Sequence, residues 1–136
     1  MLQIVLAEDN PGDILLVREA LQVHHVDHEL HVLRDGGEAL IFVARMGQEG
    51  GTPCPDIMLL DMNLPKVDGP DVLAEFRKHP ACTRTPVIVI TSSDTQRDRD
   101  RMAGLGITAY FRKPSNLDAF MQLGAMVRDA VKEQDS

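Results

Sequence analysis

The feature that most constrains this chain is the alternation of short apolar runs with longer stretches of helical periodicity. Leu2–Ala7 is apolar apart from Gln3, the pattern of a strand covered on both faces rather than one half in water. Pro11-Gly12-Asp13 opens a helix whose stripe of Ile14, Leu15, Val17 and Leu21 carries it to about Val23. Residues 29–33 alternate as a second strand, and Asp35-Gly36-Gly37 is a turn with an acidic cap before a helix running to about Met46. Residues 48–55 read as a polar loop, 56–60 as a third strand, and Asp61 stands at that strand's C-terminal end. A loop over 63–69 leads to a helix over about 70–78, and 86–90 is the plainest strand of the chain. Residues 91–94 end it and cap a short helix to about Ala103. A fifth strand covers 107–111, and Asn116 or Asp118 starts a last amphipathic helix bearing Phe120, Leu123, Met126, Val127 and Val131. Five β-α units with short connections imply a parallel sheet with helices on both faces, joined by right-handed crossovers.

At 136 residues the chain is expected to form a single domain, with no length left over for an effector or DNA-binding module. No apolar run approaches the roughly 20 residues that span a bilayer, and neither a basic leader nor a cleavage signal precedes Leu2. A cytoplasmic location without membrane contact is the expectation. The net charge of -7 speaks against non-specific nucleic-acid binding, which needs a basic footprint. Cys54 and Cys82 lie far apart without metal-type spacing. A disulfide between them is open on arithmetic, but reduced thiols are expected in a cytosolic protein.

Open parallel sheets gather functional groups beyond the carboxyl ends of their strands. That rule selects Glu8 and Asp9 after strand one, Asp61 after strand three, Thr91 and Ser92 after strand four, and Lys113 after strand five. Three carboxylates in one cleft repel one another and need a cation or shifted pKa values to coexist. A hard divalent ion such as Mg2+, or Mn2+, meets that need with oxygen ligands. Lys113 and Thr91 suit the non-bridging oxygens of a phosphoryl group, and a carboxylate such as Asp61 can form an acyl phosphate. Each residue alone has a bland reading, as a helix cap, a turn opener or a solvated lysine. Their convergence at four strand ends is what carries the functional one.

The motifs Glu8-Asp9, Asp61-Met62-Asn63-Leu64-Pro65-Lys66-Val67-Asp68-Gly69, Thr91-Ser92-Ser93 and Lys113-Pro114 resemble the response-regulator receiver domains of two-component signalling, in that family's order across essentially the whole chain. The resemblance implies a flavodoxin-like, doubly wound five-stranded sheet of order 2-1-3-4-5 with five helices in three α/β/α layers. It implies that Asp61 is phosphorylated by a histidine kinase or a histidine phosphotransfer protein. Mg2+ would be held by Asp9 and Asp61 directly, by Glu8 through water and by the backbone carbonyl of Asn63. Thr91, Ser92 and Lys113 would adjoin the phosphoryl group, Tyr110 would rotate inward when Thr91 moves, and Lys113-Pro114 is a candidate cis peptide. Readout to a downstream protein would use helix four, strand five and helix five, a surface that also leaves a homodimer open. No effector enzyme activity is expected beyond self-catalysed phosphotransfer and autodephosphorylation. More narrowly, Glu8–Asp13, the lengthened stretch over 45–55 and Asp61–Pro65 resemble the single-domain regulators paired with phytochrome-type photoreceptor kinases.

Two other readings compete. A flavodoxin-like cofactor protein needs a Gly/Ser/Thr-rich phosphate loop after strand one, where this chain has Glu8-Asp9-Asn10-Pro11. A constitutive binding module with a vestigial site would not need the full set of residues. His24, His25, His28 and His31 run from a helix end into a strand without sustained i, i+4 geometry and read as a polar junction. Arg97–Arg101 alternates charge at spacings that suit an exposed helix laced with ion pairs, with Met102 and Leu105 as its few apolar anchors.

Overall fold

The computed structural model describes residues 1–46, 51, 53–92 and 95–135, the last three by their backbone alone. In chain order the elements are β1 (Leu2–Ala7), α1 (Pro11–Val23), β2 (His28–Leu33), α2 (Gly36–Arg45), β3 (Ile57–Asp61), α3 (Gly69–Arg77), a 3-10 turn (Pro80–Cys82), β4 (Val87–Thr91), α4 (Gln96–Met102), β5 (Ala109–Arg112) and α5 (Leu117–Asp135). The strands form one parallel sheet in the order β2-β1-β3-β4-β5, as expected. Among the described residues no helix is long and apolar enough to cross a membrane.

Alternation along the strands divides the core into two layers. Val5, Ala7, Met58, Leu60, Val87 and Val89 face α2 and α3, where Val72, Leu73 and Phe76 meet them. Ile4, Leu6, Ile57, Leu59, Ile88 and Ile90 face α1 and α5, where Val17, Leu21, Phe120 and Leu123 meet them. Both layers exclude water, so the central strands read as unbroken apolar runs. On the second face α1 and α5 approach so closely that a side chain at Gly124 would collide with the Ala20 carbonyl.

Capping side chains set the helix starts. Asn10 accepts from the Asp13 N–H at 3.1 Å, and Asp35 from the Glu38 N–H at 2.8 Å, while Glu38 reaches back to the Arg34 N–H at 2.6 Å. Helix α4 starts one residue beyond the expected cap: Thr95, not residues 91–94, accepts from the Asp98 N–H at 3.2 Å. Residues 93 and 94 of the expected cap, and 48–50 and 52 of the expected loop, lie outside the described residues. β5 starts at Ala109 rather than 107, because Gly104 and Gly106 adopt positive φ (81° and 72°) and Thr108 only then joins β4, through its N–H to the Val87 carbonyl at 2.9 Å. The arginines of α4 also reach past their own helix: Arg101 meets Asp68 at 3.2 Å, and Arg99 lies 4.4 Å from the centre of the Tyr110 ring.

The expectation for the cysteines is overturned. Cys54 and Cys82 are not separate thiols but a disulfide, with Cα atoms 5.7 Å apart. The right-handed β3-α3-β4 crossover carries the chain back to the edge where β3 begins, so 28 residues of separation vanish in space. Compartment bears on the redox state of a pair but says nothing about whether the fold brings it together. Beside it, Arg77 donates to the carbonyls of Cys82 and Leu105 at 2.8 Å and of Gly106 at 2.8 Å, tying α3 to the loop before β5.

Candidate functional site

β1, β3, β4 and β5 run parallel and stop in near register, so the residues at their carboxyl ends share one edge. Glu8 extends β1 by one ladder bond, its N–H donating to the Leu33 carbonyl at 2.9 Å, and it is 1% exposed. Asp61 and Thr91 are the last residues of β3 and β4, 5% and 1% exposed. Lys113 follows β5 immediately, held by its N–H to the Thr91 carbonyl at 2.7 Å. The loop behind Asp61 is fixed by Met62 N–H to the Ile90 carbonyl (3.2 Å) and Gly69 N–H to the Met62 carbonyl (3.0 Å). Gly69 sits against the strand end; a Cβ there would lie 2.5 Å from the Asp61 carbonyl oxygen, so only glycine fits.

The Lys113 ammonium is the hub. It lies 2.8 Å from Asp13, 2.9 Å from Glu8 and 3.5 Å from Asp61. One oxygen each from Glu8, Asp9 and Asp61 fall within 4.8 Å of one another, Asp9 exposed at the rim. Backbone donors steady two of them: Asn10 N–H to Glu8 at 3.1 Å, and Asn63 N–H to Asp61 at 3.1 Å. Burial pushes the Glu8 carboxyl up to about 7; the adjacent Asp61 charge adds to this, against the lowering effect of its bonds to Lys113 and Asn10. Burial alone would lower the Lys113 pKa, but hydrogen bonds to Asp13 and Glu8 and the Asp61 charge outweigh it and hold the ammonium above the usual lysine range. One ammonium therefore faces more carboxylates than it can neutralise.

The donor set is hard oxygen only, clustered at a spacing a single small cation can bridge, which fits a divalent metal of the Mg2+ or Mn2+ kind. A flavin or nucleotide phosphate fits poorly: the loop after β1 presents acids, and Pro11 at the first position of α1 has no N–H to offer. A cleft of about 500 Å³ bounded by Arg18, Gln22, His25 and Asp27 shares no residue with this site.

Glu8, Asp9, Asp61, Thr91 and Lys113 thus share the sheet edge that their positions in the sequence implied. Asn63 is exposed in the next loop, and Ser92 is exposed directly after Thr91. Tyr110 is half-buried against the α2/α3 layer, paired in register with Val89 and covered by Arg99. The Lys113-Pro114 bond is trans, not cis. Trans is the lower-energy form of an X-Pro bond by about 0.5–1 kcal/mol, and with it Lys113 already reaches its carboxylates. Asp13 is the residue the sequence reading missed as a site member, taking it only as part of a helix start. The signal was Asn10: capping at that residue puts Asp13 in the first turn of α1, beside the strand end.

Comparison with known proteins agrees with this geometry. Residues 4–124 match the family model described as the response regulator receiver domain. The response regulator Rcp1 of Synechocystis sp. is 42% identical over 114 residues, covering 84% of this chain and 78% of that protein. The probable methanogenesis regulatory protein FilR2 of Methanothrix harundinacea is 33% identical, covering 85% and 74%. Among solved structures, manganese-bound Rcp1 superposes with a TM-score of 0.81 at 37% identity over 95% of this chain and 93% of that one. The phosphorylated cyanobacterial phytochrome response regulator RcpA gives 0.82 at 38% identity over 94% and 91%.

Proposed function

This chain belongs to the response-regulator receiver-domain family, and on that premise we propose that it is a switch phosphorylated on Asp61. The observation that carries the reading is the Lys113 ammonium held among Glu8, Asp13 and Asp61, an anion-receptive cation set beside a carboxylate nucleophile. An Asp61 oxygen attacks the phosphorus of a phosphohistidine on a sensor histidine kinase or histidine phosphotransfer protein. The P–N bond breaks and its electron pair leaves on the imidazole nitrogen. Lys113 turns from its carboxylate partners toward the new phosphoryl oxygens, and the Thr91 hydroxyl and the Ser92 backbone approach the same group. Asp9, Asp61, the Asn63 carbonyl and Glu8 would hold a Mg2+ ion, which would supply the positive charge that these acids and the phosphoryl group require.

The phosphoryl group adds charge at a buried strand end. Movement of Thr91 toward it vacates space beside β4 for Tyr110, which altered packing exposes as a changed α4–β5–α5 surface for a downstream protein or a second copy. The likeness to Rcp1 and RcpA supports a phytochrome-type kinase as the donor. We place the protein in the cytoplasm as a receiver without effector enzyme activity. The test is incubation with a small phosphodonor such as phosphoramidate, with and without Mg2+, followed by intact mass. The expected result is a single Mg2+-dependent addition of about 80 Da, one phosphoryl group on one acceptor, absent in Asp61→Asn. Label retained in that variant would overturn the acceptor assignment.

A further inference from the structure

We propose that Cys54 and Cys82 form a reversible thiol/disulfide site whose state sets how firmly the loop before β5 is held. The pair encloses β3, the Asp61 loop and α3 within one covalent ring. It lies at the edge of the sheet opposite the acidic site. Cys82 is fully buried beside Phe76 and Val87, whereas Cys54 is half-buried and borders a mainly apolar cavity of about 270 Å³ with Gln3, Val5, His31, Phe42, Pro53 and Pro55. Cys54 is thus the more accessible of the two, and Cys82 is sealed in the core. Both sulfurs lie in or against apolar surroundings, so after reduction each persists as a small apolar side chain and the core keeps its filling.

The co-reactant is a dithiol, of the kind that keeps cytoplasmic thiols reduced; in this respect alone the inference rests on the proposed location. A thiolate of the dithiol bonds to the Cys54 sulfur as the Cys54–Cys82 bond breaks, and the electron pair leaves on Cys82, which takes up a proton. The second thiol of the reductant then attacks its own sulfur in the mixed disulfide and releases Cys54. Two electrons and two protons pass to the protein, and the dithiol becomes a disulfide.

Arg77 carries the consequence outward. The carbonyl of Cys82 accepts from Arg77, and the same guanidinium holds the carbonyls of Leu105 and Gly106. Those two residues lie in the Gly104–Gly106 turn, where Leu105 N–H also donates to the Met102 carbonyl at 3.2 Å. Freeing Cys82 from Cys54 loosens the platform from which Arg77 grips the turn, next to the strand that bears Tyr110.

The experiment compares the oxidised full chain with the same chain treated with dithiothreitol. Alkylation under native conditions should trap two thiols, Cys54 at least about tenfold faster than Cys82 given their difference in burial. Amide exchange at Leu105 and Thr108 should quicken by about tenfold on reduction, and the midpoint of thermal unfolding should fall by about 10 °C. Oxidised glutathione should reverse all three. Cys54→Ser should match the reduced protein and ignore the reductant, and in Arg77→Lys reduction should no longer alter exchange at Leu105. Equal exchange in the two redox states of the wild type, or thiols that glutathione disulfide cannot rejoin, would overturn the proposal. None of these readouts involves phosphorylation, so failure here leaves the Asp61 assignment standing, and failure there leaves this one.

Discussion

The two edges of the sheet are built from opposite chemistry. At the carboxyl edge, Glu8, Asp13 and Asp61 crowd one ammonium with Asp9 at the rim, so the charge is unbalanced and open to change. At the other edge Cys54 and Cys82 are joined, and Arg77 aims its donors at backbone carbonyls that have no proton to lose. One edge is poised and the other is closed. On the proposed function, a charge arriving at the first edge would act against the frame at the second.

The comparison breaks most visibly at Lys113. Lys113→Met removes the cation set among Glu8, Asp13 and Asp61, and phosphotransfer should fall by about 10²–10³-fold, measured as the initial rate of labelling with a small phosphodonor. Phe76→Ala, in the layer under the closed edge, should cost about 3–5 kcal/mol of stability in urea titration. Labelling of Asp61 at temperatures below its unfolding should survive that substitution. A change at each edge therefore separates chemistry from frame.

A third effect is one of pH. The Glu8 carboxyl holds its proton up to about 7 in the folded protein, against an ordinary value near 4.3 when unfolded. The folded state thus binds that proton more tightly. Its contribution is complete below about pH 4.3 and is lost as the pH rises through 7 in the metal-free protein. Glu8→Gln should flatten the profile. Mg2+ binding should strengthen over the same window, since the ion must displace the proton, and calorimetric titration at pH 6 and pH 8 measures this. The smallest effect belongs to the cap: Asn10→Ala should cost about 1 kcal/mol, with an added loss of labelling only if Asp13 shifts from Lys113.

The sequence shows the sheet because its central strands are buried on both faces, and it shows Asp61, Glu8, Asp9, Thr91 and Lys113 because strand ends are easy to find once strands are. What it conceals depends on three-dimensional return. Cys82 reaches Cys54 only through a whole crossover, and Asp13 reaches Lys113 across the sheet from a helix turn. The start of α4 was misplaced because Thr91 and Thr95 are equally good caps in one dimension, and only the ladder to β5 commits Thr91 to the strand. The Lys113-Pro114 geometry was carried over from the family, and no local residue pattern distinguishes the two isomers.

Gly69 has one more consequence. With its Cα set against the Asp61 carbonyl and its N–H on Met62, it backs the strand end like an anvil behind the workpiece. Close-packed interiors yield little, so under the proposed phosphorylation the backbone of Asp61 would not recoil as its side chain gained bulk and charge. The displacement would then leave sideways, into the loops after β4 and β5, and a missing methyl group would decide the direction in which the message travels.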